Sequence, residues 1–162
     1  MTTLEASSNK PAAPSNWLPI TFLILGAIGF IDATYLTTQH FLGAPIACSI
    51  LKGCEQVTTS RFSTIGPIPI SLLGSLYYLT VLVLSVVYLD SKKINALNLL
   101  AKITPLGFLA SLYLVYLQIF VIKAICLYCM GSATTSTLLF IFSLIFWRKQ
   151  KNSTPKEQSP SV

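Results

Sequence analysis

Charge is what this sequence has least of. Only 5 of its 162 residues are Asp or Glu, 11 are Lys or Arg, and one is His. Charged residues make up 10% of the chain, against about a quarter of an ordinary soluble domain. That is too little to cover a water-facing surface, so a soluble globular fold is excluded. Hydrophobic residues make up 53% and the mean hydropathy is +0.70, which excludes disorder for most of the chain. The net charge of +6 comes from Lys and Arg scattered between apolar blocks. No basic face gathers them, which argues against nucleic-acid binding. A repeat of fixed period is also missing, so a transporter built from internal repeats is not suggested. Residues 1–16 are polar and contain Pro11 and Pro14. They lack the features of a signal peptide and read as a short disordered tail.

Four long apolar stretches are present, at about 17–37, 68–89, 101–122 and 125–147. Each has the roughly 20 residues that a helix needs to cross a bilayer, about twice the length of a barrel strand. Backbone groups in lipid must be satisfied within the segment, so these stretches are helices. The predicted fold is an all-α integral membrane protein: a four-transmembrane-helix bundle over 17–147, with a long outer loop at about 39–67. Residues 148–162 form a second polar tail. Even span number puts both termini on one side. Lys10, Lys92, Lys93, Lys102, Arg148, Lys149, Lys151 and Lys156 share that side, against Lys52, Arg61 and Lys123 on the other. The positive-inside rule makes both termini cytoplasmic and the loop extracytoplasmic. Trp17 and Trp147 fall where an interfacial aromatic belt forms.

The 4 cysteines all fall on the outer side, where disulfide chemistry is permitted. Cys48 and Cys54 lie in the loop as CSILKGC. Cys126 and Cys129 open the fourth span as CLYC. Unsatisfied N–H groups at a helix start favour a thiolate there, and a Cys-x-x-Cys at such a start has one cysteine of lowered pKa. Cys129 lies one turn deeper, so a lipid-soluble oxidant such as a quinone meets it first. A mobile loop pair reaches both the CxxC and a soluble protein outside. The spacing supports a relay by thiol–disulfide exchange. Two other readings stand beside it. Two structural disulfides would staple the loop of a non-catalytic four-span assembly protein, although a bridge across CLYC closes almost no chain. A four-cysteine zinc site fits less well, because this is not the usual paired-knuckle spacing.

These motifs together resemble the bacterial members of the vitamin K epoxide reductase family. The match runs through CSILKGCEQVTTSRF, then PIPISLLG at the second helix with Gly74, then CLYC, over roughly residues 17–147. The resemblance implies a membrane thiol:quinone oxidoreductase that reoxidises a separate thioredoxin-like protein, with ubiquinone, menaquinone or a related naphthoquinone as acceptor. Cys129 would stand next to the quinone, Cys126 would exchange with Cys54, and Cys48 with the partner protein. Ser60 would help seat the loop over the site. Ile70 and Ala133 occupy the positions where vertebrate members hold the naphthoquinone with Asn and Tyr. Their apolar character favours ordinary quinone reduction over epoxide reduction. No metal is expected.

Four further features bear on the site. Asp32, the one acidic residue within a span, lies about 22 Å along the first helix at 1.5 Å per residue. It is either a proton acceptor or a carboxyl that is hydrogen-bonded between helices or reaches the interface. His40, at the start of the loop, is an acid–base group or a solvated interfacial side chain. Gln118 reaches either a neighbouring helix or a quinone oxygen. The small-residue run at 131–137 and the span tyrosines, Tyr77 and Tyr78 among them, read as packing.

Overall fold

The computed structural model describes residues 17–43 and 53–153. Within them the chain forms α1 (Trp17–Leu42), a short α2 (Gly53–Thr58), a two-strand hairpin of β1 (Thr64–Ile65) and β2 (Ile68–Pro69), then α3 (Ile70–Ser91), α4 (Ile94–Tyr116) and α5 (Leu127–Ser153). A π-helical turn, Leu117–Ile122, continues α4. Four helical segments of 26, 22, 29 and 25 residues are long and apolar enough to cross a membrane. The expected four-span helical architecture is therefore present.

Several boundaries differ from the sequence reading, each for a local reason. α1 runs to Leu42, so His40 belongs to its last turn rather than to the loop. The second helix starts at Ile70 instead of 68, because Ile68–Pro69 pairs with Thr64–Ile65 across a turn whose Gly66 has φ +63. The third helix starts seven residues earlier than expected. Lys92, left-handed at φ 50, returns its N–H to the Tyr88 carbonyl, so α3 turns into α4 through Lys92 and Lys93 alone. The polar opening of α4 is drawn into the bundle by Ala96, Leu97, Leu100 and Ala101, all buried. α5 continues to Ser153, beyond the apolar run that ends at residue 147.

α1 packs on α3 and α5, and α4 packs on α5 and α3, closing a ring of four. One half of the ring is solid. Leu18, Phe22, Tyr88, Leu97, Leu100 and Phe146 fill it. Outward-facing Ile20, Ile24, Ile28 and Ile31 on α1 are exposed, as lipid-facing positions are. Because lipid tails are as apolar as Leu, the helices cohere through close packing and hydrogen bonds. Gly29 lets α1 approach so closely that a Cβ there would overlap the Tyr78 ring. The Tyr78 hydroxyl bonds to the Ser132 carbonyl at 2.7 Å, to Ser132 Oγ at 3.0 Å and to Thr135 Oγ1 at 2.8 Å. Ser111 and Ser136 hydroxyls lie 2.6 Å apart, and Ser143 donates to the Ala101 carbonyl at 3.0 Å. The small-residue run of α5 thus packs as expected, and three of its hydroxyls lock the bundle.

Candidate active site

The other half of the ring is hollow. A cavity of about 400 Å³ lies between the four spans, within the size range of small-molecule sites. α1 contributes Asp32, Leu36 and His40, and α3 contributes Ile70, Gly74 and Tyr77. Leu114, Leu117 and Gln118 close it from the third span, and Cys129, Ser132 and Ala133 from α5. Ser60 and Phe62 reach it from the segment after α2. Its walls are mainly apolar, which suits a flat hydrophobic ligand.

The cysteines converge at the end of this cavity. α2 packs on the π turn and brings Cys54, 1% exposed, into one cluster with Val57, Ala124 and Cys126, with Tyr128 and Cys129 against it. Cys54 is disulfide-bonded, whereas Cys126 and Cys129 are free thiols. Cys48 lies outside the described residues. Cys126 immediately precedes α5, and its carbonyl accepts the Met130 N–H at 3.0 Å. Its own N–H, one of the donors a helix start leaves without a partner, is taken by Gln118 Oε1 at 3.0 Å. Gln118 is 2% exposed. Its carbonyl also receives the N–H groups of Lys123 and Ala124, with Lys123 left-handed at φ 55. One residue thus ends the third span and fixes the start of the fourth.

Of the other expected site residues, Ile70, Ala133 and Gln118 stand in the cavity wall. Ser60 donates its hydroxyl to the Val57 carbonyl at 2.7 Å, and its own carbonyl accepts from the Ser63 N–H and Oγ. It knits the chain that leaves α2. Asp32 differs from the hydrogen-bonded alternative: its Oδ2 is buried with no hydrogen-bond partner among the described residues. Tyr77 Oη shares that condition. The sequence alone marks Tyr77 only as a packing residue, and nothing local to α3 sets it apart. Its ring lies where a Cβ on Gly107 of α4 would be, a relation only the assembled bundle reveals.

Two buried polar atoms without partners, in residues of an apolar cavity that Cys129 also lines, fit a small carbonyl-bearing ligand. The sequence model of the vitamin K epoxide reductase family matches residues 20–144. The chain belongs to the vitamin K epoxide reductase family. No curated protein sequence matches it significantly. Membership makes it a multi-pass membrane oxidoreductase of disulfide-forming, quinone-linked chemistry.

In this vitamin K epoxide reductase family member the two CxxC thiols are not equivalent. Cys126 is pulled down to about 7, chiefly by a hydrogen bond from the Cys129 thiol. Burial opposes this, the backbone N–H groups of Cys129 and Tyr128 support it, and the Asp32 charge opposes it. A thiolate at Cys126 is present above about pH 7 and is lost as pH falls through that value. Modification of Cys126 by a small membrane-permeant alkylating agent, followed by mass spectrometry, should fall about tenfold per unit below that pH. Cys129→Ala removes the main cause, so the midpoint should move upward by about one unit or more.

Proposed function

We propose that this protein oxidises a dithiol on a separate, extracytoplasmic thioredoxin-like protein and delivers the electron pair to a membrane quinone. The observation that carries the reading is the shared neighbourhood of Cys54, Cys126 and Cys129 beside the cavity. The net reaction is partner dithiol plus quinone giving partner disulfide plus quinol. The partner reduces the loop pair, Cys48 and Cys54, and leaves with a disulfide. Cys54 thiolate attacks Cys126 Sγ of the inner bridge and releases Cys129. Cys48 then attacks Cys54 and releases Cys126 as a thiolate, which its lowered pKa makes a good leaving group. The loop pair is oxidised again and the inner pair holds two electrons. A disulfide-bonded Cys54 beside free Cys126 and Cys129 corresponds to that stage.

Tyr77, Asp32, Gln118, Ile70 and Ala133 are the residues that would hold the quinone, with Cys129 as the sulfur beside it. When bound, the quinone supplies a two-electron, two-proton acceptor. The apolar Ile70 and Ala133 favour ordinary ubiquinone or menaquinone reduction over epoxide opening. The orientation with both termini cytoplasmic rests on charge. Lys92, Lys93, Arg148, Lys149 and Lys151 all lie at the end of the bundle away from the cysteines, where the positive-inside rule puts the cytoplasm. The test is purified protein given a quinone and a reduced thioredoxin-like dithiol, followed by quinone absorbance. A loss of signal that requires the dithiol is expected. A quinone signal unchanged by the dithiol would overturn the proposal.

A further inference from the structure

Proton supply at the cavity is the one part of the reaction that the cysteines leave open. Oxidising the inner pair forms a Cys126–Cys129 bond and releases two electrons, which the quinone takes with two protons to become a quinol. The thiol of Cys129 carries one proton. Cys126 leaves the exchange described above as a thiolate, a form that the Cys129 hydrogen bond favours. A second proton must reach the cavity from another group.

Among the cavity-lining residues one carries a carboxyl group, Asp32. It lies in the middle of a membrane span, where ionisable residues mark proton or substrate paths. Its Oδ2 is buried and no described residue donates to it. A bare carboxylate there would be a desolvated, unpaired charge, whereas a neutral carboxyl carries a far smaller penalty and leaves its O–H free for a ligand in the cavity. It is near enough to Cys126 that an ionised Asp32 would oppose the thiolate. Leu36 and His40 follow it at i+4 and i+8 on the same helix and also line the cavity. His40 is exposed and stands about 12 Å along the helix, by the 1.5 Å rise per residue. Asp32 therefore shares one cavity with Cys129 and lies about two turns deeper on α1 than a solvent-facing imidazole.

We propose that Asp32 is the proton donor of quinone reduction: its carboxyl O–H gives up the second proton to a quinone oxygen and is reloaded from the solvent side past His40. The assignment rests on the thiol:quinone reading above. Electrons come from the two sulfurs, one proton from Cys129 and one from Asp32.

The test compares wild type with Asp32→Asn and Asp32→Glu. Asparagine keeps a hydrogen-bond donor of the same shape and cannot release a proton. Quinone reduction in Asp32→Asn should fall about 100-fold, the scale of a lost general acid. Binding of a redox-inactive quinone analogue should change by less than about threefold, since the donor remains. Asp32→Glu should recover most of the rate. Infrared spectra of wild type should show a carboxylic-acid carbonyl band that shifts in deuterated water. That band needs no variant to fold. Asp32→Asn turning over like wild type would overturn the assignment, as would equal losses of analogue binding and rate. Absence of the carboxylic-acid band in wild type would also overturn it. Failure of the underlying reading looks different, because wild type itself would then show no dithiol-dependent quinone reduction.

Discussion

Cys129→Ala should accumulate a covalent Cys54–Cys126 disulfide and lose dithiol-dependent quinone reduction by at least about 10³-fold, as loss of an essential nucleophile does. Cys54 and Cys126 are already packed in one cluster, 1% and 0% exposed, so the bridge needs little backbone movement. With Cys129 gone no inner bridge can form, so the Cys126 thiolate attacks Cys54 of the oxidised loop pair and releases Cys48, and no inner thiol remains to break the mixed disulfide. Cys126→Ala should lose turnover to the same extent without the bridge, because Cys54 then has nothing to attack. Mass spectrometry of the alkylated protein separates the two outcomes. If both substitutions left the protein fully functional, the cysteines would be staples and the four-span assembly protein would be the better account.

The second large effect concerns the fold. Gly29→Ala puts a methyl where the Tyr78 ring lies. That ring cannot swing aside cheaply, because its hydroxyl is held by Ser132 and Thr135 at 2.7 to 3.0 Å. Overpacking and the broken bonds together should cost about 3 kcal/mol. Tyr78→Phe keeps the ring and removes the hydroxyl, so it should cost about 1 kcal/mol. Gly131→Ala is the control: nothing lies within 4 Å of the added carbon, and alanine is the better helix former. Thermal unfolding in detergent should rank the variants in that order. A Gly29→Ala protein as stable as wild type would mean that Tyr78 has room the structure does not show.

Span number, cysteine placement and family were legible in the sequence because each depends on local composition or on short spacing. Apolar runs of about 20 residues have one physical use, and CLYC at a span start is read without knowing the neighbours. The start of α4 was not legible. Hydropathy sees Asn95, Asn98 and Lys102 as an interruption, while the buried Leu97 and Leu100 between them make that stretch helical. The role of Gln118 was half legible: a polar residue in a span invites a partner, but Cys126 N–H lies eight positions on, and only the π turn brings it within 3.0 Å. Asp32 was visible as an oddity. Its lack of a partner was not, since that depends on what three other helices fail to offer.

The π turn has a consequence for how the two halves of the site are phased. It admits an extra residue per turn, and the buried Gln118 there caps the third span with its carbonyl while its side chain takes the Cys126 N–H. Adding or removing one residue between Gln118 and Cys126 would take the Cys126 N–H out of reach of Gln118 Oε1. The start of α5 would then lose the contact that fixes it beside the cavity, although every motif in the sequence remained intact. The spacing of eight between Gln118 and Cys126 is thus a timing mark on the chain. It keeps the thiol pair in step with the cavity that it has to empty into.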